Sequence, residues 1–265
     1  MKLHSRPTLG SAGGLATMTY CVGMLLDTGL VFLSDSRTSA GVDHISTFRK
    51  TTVFQRPGDR VMVLQTAGNL AITQAVISLL REQMDASDGS PNLLTVPTLF
   101  EAAECVGDAM RHVHKRDANQ LKEFGLEFNA SLILGGQIRG EVPRLFSIYA
   151  AGNFIEATAE TTYFQVGESK YGKPIIDRVL RRSSSLNEAA KCALVSMDST
   201  IQSNLSVGLP LDLVLIKRDR FEVARHMSID ANNDYFRGIR SRWSEALREA
   251  FAELPDPDWL RTPMP

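Results

Sequence analysis

Apolar residues dominate positions 19–26 and 30–34, and the polar break between them is Asp27-Thr28-Gly29. This pattern predicts two strands, 19–26 and 30–35, joined as a hairpin, because a short loop ending in glycine is a hairpin signal. Residue numbers across such a ladder sum to about 56, which sets Asp35 opposite Cys21 and diagonal to Thr19. A second strand pair, 48–55 and 60–66, turns at Arg56-Pro57-Gly58-Asp59. Side chains alternate along a strand, so Phe48, Lys50, Thr52 and Phe54 share one face and Arg49 takes the other. Lys50 is then a basic residue directed to the apolar side.

Helical spacing of Ile72, Val76, Leu79 and Leu80 predicts a helix over 70–84 with Asn69 as its N-cap. A polar loop over 85–97 leads to a second helix over 98–119. Strands are predicted at 128–134 and 145–149 about Gly135-Gly136, and a short one at 163–166. Helices follow at 171–182 and 186–204. A hairpin pairs 213–217 with 221–226, and a helix over 234–253 carries Phe236, Ile239, Trp243 and Leu247 as an apolar stripe. Hairpins outnumber single crossovers, so the sheets should be mainly antiparallel. The order of elements implies an α+β chain folded as a four-layer αββα sandwich. Residues 19–254 read as a single domain, 255–265 as an extended, Pro-rich tail, and 1–18 as a leader, a propeptide or an added extension. A start placed too early, with Met18 the true one, is the further reading of that segment. Trp259 and Leu260 in the tail are candidates for docking on a neighbouring molecule.

The chain has 265 residues, 43% hydrophobic and 22% charged, with a net charge of -1. That balance offers no long-range attraction for nucleic acid or an anionic membrane, and the basic runs 111–116 and 178–182 read as solvated helix faces. No apolar run approaches the roughly 18 residues of a membrane span, and the first 17 residues lack the apolar core of a secretory signal. The three cysteines, Cys21, Cys105 and Cys192, lie scattered in apolar segments. An odd, scattered set argues against a disulfide framework and for a reducing, cytoplasmic compartment. His112 and His114 stand two apart on a helix and point apart, and His226 is alone, so no metal site is expected.

Candidate chemistry concentrates on Thr19. A threonine hydroxyl is a poor nucleophile until a base takes its proton, and a threonine that begins the chain carries such a base in its own α-amine. Thr19 follows Met18, whose removal would free it. Asp35 ends an apolar strand where aspartate is disfavoured. A buried Lys50 needs a carboxylate partner, and Asp35 is the one the hairpin supplies. A lysine cation near Thr19 lowers the hydroxyl's pKa and stabilises developing negative charge. Gly68, between strand and helix, is the candidate oxyanion donor through its N–H. Cys21 is a rival nucleophile, with a small buried apolar residue as the plainer reading.

Several segments together resemble the bacterial proteasome-like proteins called Anbu. They are Thr19-Tyr20-Cys21-Val22-Gly23, Leu33-Ser34-Asp35-Ser36-Arg37-Thr38, Ala40-Gly41-Val42-Asp43, Ser46-Thr47-Phe48-Arg49-Lys50 and Ala67-Gly68-Asn69-Leu70-Ala71. Later come Gln165-Val166-Gly167-Glu168-Ser169-Lys170-Tyr171-Gly172-Lys173-Pro174, Ser196-Met197-Asp198-Ser199-Thr200 and Ser203-Asn204-Leu205-Ser206-Val207-Gly208-Leu209-Pro210. The resemblance spans about residues 18–255. It implies a proteasome β-subunit fold, Thr19 as nucleophile, Asp35 and Lys50 as its partners, Gly68 as oxyanion donor, and self-association into a ring or open helical ring. It also implies a peptide or amide substrate and no cofactor, and leaves open whether an ATP-driven unfoldase feeds the assembly. In proteasome subunits a serine and an aspartate–serine pair support the terminal amine. Here the first place reads Glu168-Ser169 and the second runs from Ser203 to Ser206, without the aspartate. Two further readings follow: an assembly scaffold with a vestigial site, and an amidohydrolase acting on small amides.

Overall fold

The computed structural model describes residues 19–39, 45–86 and 89–260. Residues 1–18, the quoted segment 40–43 and the last five tail positions lie outside them. Strands β1 (Tyr20–Leu26) and β2 (Gly29–Asp35) pair with Cys21 opposite Ser34 and Leu26 opposite Gly29. The ladder therefore sums to 55, and Asp35 falls level with Tyr20 rather than Cys21. The reason is Gly29. At φ +144° it begins β2 one residue early, pressed so close to the neighbouring strand that a Cβ would meet the Ile216 carbonyl at 2.0 Å. The turn shrinks to Asp27-Thr28, and the whole strand slides by one.

A short ribbon, β3 (Arg37–Ser39) with β4 (Ile45–Thr47), leads into β5 (Thr51–Arg56) and β6 (Arg60–Gly68). Helices α1 (Leu70–Asp85) and α2 (Leu99–Glu123) follow, then β7 (Ala130–Ile138), β8 (Arg144–Ile148), β9 (Phe154–Glu156) and β10 (Tyr163–Gly167). The chain continues through α3 (Lys173–Val179), α4 (Leu186–Ser203), β11 (Leu211–Lys217), β12 (Val223–Ile229) and α5 (Asp234–Ala252). One five-stranded sheet runs β10-β1-β2-β11-β12 and the other β5-β6-β7-β8-β9, and their pairings are antiparallel.

Three apolar layers separate four layers of structure. Even residues of β1 (Tyr20, Val22, Met24) pack on Ile176, Ala193 and Met197 of α3 and α4. Its odd residues Cys21 and Leu25, with Phe32, face Val61, Val63, Ile133 and Leu145 of the other sheet. Met62, Leu64, Leu132 and Leu134 meet Val76, Leu80, Val106 and Met110 of α1 and α2. Each large side chain so buried contributes about 1.5–3 kcal/mol of transfer free energy. Hence β1 and β2 are apolar on both faces, and the αββα expectation holds.

Some boundaries differ. Gly135 and Gly136 lie inside β7, not at a turn. A Cβ on Gly135 would stand 2.6 Å from Leu145 Cδ1 and 2.8 Å from Phe32 Cζ, so the sheets meet where the side chain is missing. Strand β5 starts at Thr51, which leaves Phe48 outside it and 38% exposed while Lys50 stays buried. Helix α3 begins only at Lys173, with Pro174 in its first turn. The tail makes one 3₁₀ turn, Asp258–Leu260, instead of running extended. On α5, Phe236 is buried but Leu247 is half exposed. Asn69 caps α1 as expected, accepting the Ala71 and Ile72 amides.

Gly135→Val should therefore overpack the inter-sheet core and lower unfolding stability by about 1–3 kcal/mol. Gly238→Ala on α5 has no atom within 4 Å of the new Cβ and should raise stability by about 0.5–1 kcal/mol. Urea melts of both variants check the pair of signs.

Candidate active site

Thr19 stands immediately before β1 and is buried. Its carbonyl accepts the Glu168 amide at 2.6 Å. Gly167, at φ +85°, lies so close that a Cβ would be 1.8 Å from that same oxygen. Only glycine fits between the end of β10 and the start of β1.

Asp35, the last residue of β2, is fully buried. Its Oδ1 accepts two hydrogen bonds, from the Tyr20 amide at 3.0 Å and from Lys50 Nζ at 2.7 Å. Lys50 also donates to the Arg37 carbonyl at 2.7 Å. The lysine ammonium and the first strand amide after Thr19 thus converge on one oxygen atom. Burial pushes the Asp35 carboxyl above its usual range, while the Lys50 charge and hydrogen bond and the Tyr20 and Gly208 amides hold it back. The structure brings Asp35 and Lys50 together and joins them to the residue next to Thr19. The one-residue shift of the hairpin makes the Tyr20 contact possible.

Gly68 closes β6 at φ +109°, with a Cβ barred by the Asn129 carbonyl at 2.4 Å. The Asn69 amide donates to that carbonyl at 2.8 Å. By alternation, Gly68 occupies a non-bonded ladder position against β7, and its N–H turns toward the β5 side. On that side the Thr66 amide donates to the Lys50 carbonyl at 2.9 Å. The Gly68 N–H thus faces the same edge as Lys50.

The remaining sequence candidates lie on the segments that follow β10 and α4. Glu168 accepts from the Lys170 amide at 3.4 Å and from Asn204 Nδ2 at 3.3 Å. Asn204 Oδ1 accepts the Ser206 amide at 3.0 Å. Asn204 therefore ties Glu168 to Ser206, a link missed in the sequence although Asn204 lies inside a quoted segment. Ser169 accepts the Lys173 amide through its carbonyl at 3.0 Å as α3 begins. Also missed was the support beneath β1. Tyr20 Oη is hydrogen-bonded to Ser196 Oγ and accepts from Gln165 Nε2 at 2.7 Å. Burial raises its pKa. Ser36 and Arg37 strap the loop before β11 to the end of β2, donating to the Pro210 and Leu205 carbonyls at 2.6 and 2.9 Å.

The rival chemistries weaken. Cys21 is inside β1, its thiol directed at the Thr66 carbonyl at 3.6 Å and its pKa pushed up by burial. His114 packs edge-on against Phe128, and His226 pairs with Asp212 at 2.7 Å. Among the described residues no three His, Cys, Asp or Glu side chains gather as metal ligands. Nor is any helix among them long and apolar enough to cross a membrane. A groove of about 480 Å³ opens between β5 and α1, with Thr51, Thr66 and Leu70 in its wall.

No family model matches the chain. Solved structures do. Anbu (ancestral beta-subunit) from Yersinia bercovieri is 53% identical, over 91% of this chain and 99% of its own, with a TM-score of 0.85. The Anbu complex of Pseudomonas aeruginosa, solved as a helical assembly, is 48% identical over 92% of this chain and 100% of its own, with a TM-score of 0.87. The proteasome subunit beta of Haloquadratum walsbyi is 26% identical over 211 residues, 79% of this chain and 78% of that protein. The paired antiparallel sheets and their flanking helices are the fold these proteins share.

Breaking the buried pair strands a charge, so Lys50→Met should cost about 3–5 kcal/mol of stability. Adding Asp35→Leu removes the stranded carboxylate, and the double variant should unfold at higher urea than the Lys50→Met single.

Proposed function

Since the chain belongs to the Anbu family of proteasome-like β-subunits, we propose that it is a threonine-type peptidase or amidohydrolase that acts through Thr19. The observation that carries the reading is the sharing of Asp35 Oδ1 between Lys50 and the Tyr20 amide. The chemistry requires a free α-amine on Thr19, so residues 1–18 are removed in the active form. That amine takes the proton from Thr19 Oγ1 as the oxygen attacks the substrate carbonyl. Lys50, aimed by Asp35, stabilises the negative charge that develops on Oγ1. The Gly68 N–H, turned to the same edge, takes the oxyanion. Collapse expels the amine leaving group with the proton held on the α-amine and leaves an ester on Thr19. Water, activated by the same amine, hydrolyses it. No cofactor enters. Glu168, joined to Ser206 through Asn204, acts as the anionic support for the amine, and Ser169 shapes the backbone beside it.

The protein works in a reducing cytoplasm as a homo-oligomer, a ring or an open helical ring. The helical assembly of the Pseudomonas aeruginosa relative and the exposed Tyr235, Leu247 and Phe251 of α5 support this. A second reading, a self-assembling scaffold that binds partner proteins, is favoured by one observation: the stretch from Ser203 to Ser206 lacks the aspartate of the aspartate–serine pair that proteasome subunits keep.

Intact-mass analysis of the mature protein should show Thr19 as its first residue and a single adduct with a covalent inhibitor directed at N-terminal threonine. Intact, unlabelled Thr19 behind a retained leader would overturn the proposal. Labelling should quicken as pH rises through about 7.7–8.0, where an α-amine loses its proton. Thr19→Ala should abolish labelling with assembly intact. If that variant also keeps its cellular role, the scaffold reading replaces the enzyme.

A further inference from the structure

The groove beside Lys50 has a one-sided charge. Arg49 and Arg81 line it from opposite walls, and His226 from the facing sheet, with no Asp or Glu among its lining residues. His226 is already engaged by Asp212 at 2.7 Å, so the groove's permanent charge rests on the two arginines. Both are exposed, and among the described residues neither makes an ion pair or hydrogen bond. Other arginines are matched by carboxylates, among them Arg60 with Asp59, Arg144 with Glu156 and Arg240 with Asp198. Hydroxyls and an amide make up much of the remaining wall, including Thr52, Gln74 and Ser78. These donors suit an anion's oxygens better than an aliphatic side chain. The volume of about 480 Å³ lies within the roughly 300–1,000 Å³ of small-ligand sites.

Position links the groove to the reacting edge. Thr51 follows Lys50, Thr66 donates its amide to the Lys50 carbonyl, and Leu70 stands two residues past Gly68. We infer that the groove between β5 and α1 selects substrates carrying a carboxylate side chain, aspartate or glutamate, on the acyl side of the bond cleaved. A planar guanidinium matches a carboxylate two bonds at a time, and an unmatched pair of arginines repels a basic side chain at the same place. The inference rests on Thr19 as the reacting residue, but its test does not.

Mature Thr19→Ala protein is titrated into fluorescent peptides that differ only in a final Glu, Gln or Lys, each capped as the amide. The Glu peptide should bind about five-fold tighter than the Gln peptide, the scale of one or two partly exposed ion pairs. The Lys peptide should bind weakest, and high salt should erase the differences. Arg49→Gln with Arg81→Gln should bring Glu and Gln affinities together while leaving the Gln peptide unchanged. Both side chains are exposed, so a melt matching the parent's confirms folding. Equal binding of Glu and Gln, a preference that survives the arginine replacements, or no binding of any peptide overturns the inference. The nucleophile reading fails separately, through absent labelling of native Thr19.

Discussion

One oxygen atom organises the end of this molecule where β1 begins. Asp35 Oδ1 receives the Tyr20 amide and the Lys50 ammonium, and both are buried between layers that exclude water. An ion pair in such a place adds little to stability over a well-packed apolar pair of the same size. Its value is geometric. It sets the depth of Lys50 relative to the start of β1 and holds the lysine near Cys21. The surrounding hydrogen bonds follow from it: Lys50 reaches the Arg37 carbonyl, Thr66 meets the Lys50 carbonyl, and Ser36 holds the loop that returns the chain to β11.

The sandwich makes that burial possible. A single sheet face would leave Asp35 and Lys50 half in water. Two sheets pressed together at Gly23, Gly135 and Phe32 place the end of β2 under a second roof. The glycines are where the sheets approach, because Cβ atoms there would collide with Leu145, Ile133 and Phe32 itself. Packing at the centre of the molecule thereby controls charge at its edge.

The four layers, the hairpins and the Asn69 cap of α1 were legible because apolar period and capping residues are local signals. Asp35 and Lys50 could be paired for a simple reason: a buried lysine needs a carboxylate, and one hairpin supplied it. The register was not legible to the residue. Gly29 reads as a turn glycine, and only its contact with Ile216, 187 positions on, draws it into the strand. Gly135-Gly136 misled in the same way, since a glycine pair looks like a turn until the opposing sheet is present. The three-residue strands β3, β4 and β9 are too short to show a period. Asn204 was hidden because its partner, Glu168, lies 36 residues away, and such a link has no sequence signature.

The clamp on the Thr19 carbonyl has its own consequence. Chain ends ordinarily fray, because nothing beyond them shares the cost of order. Here the residue at the head of β1 is held from one side by the Glu168 amide and walled by Gly167, while the strand it begins is flanked by β10 and β2. A terminus created at this position would inherit a fixed backbone from the sheet. Its mobility would be confined to the amine and the hydroxyl, the two groups whose mutual orientation the proposed reaction would use.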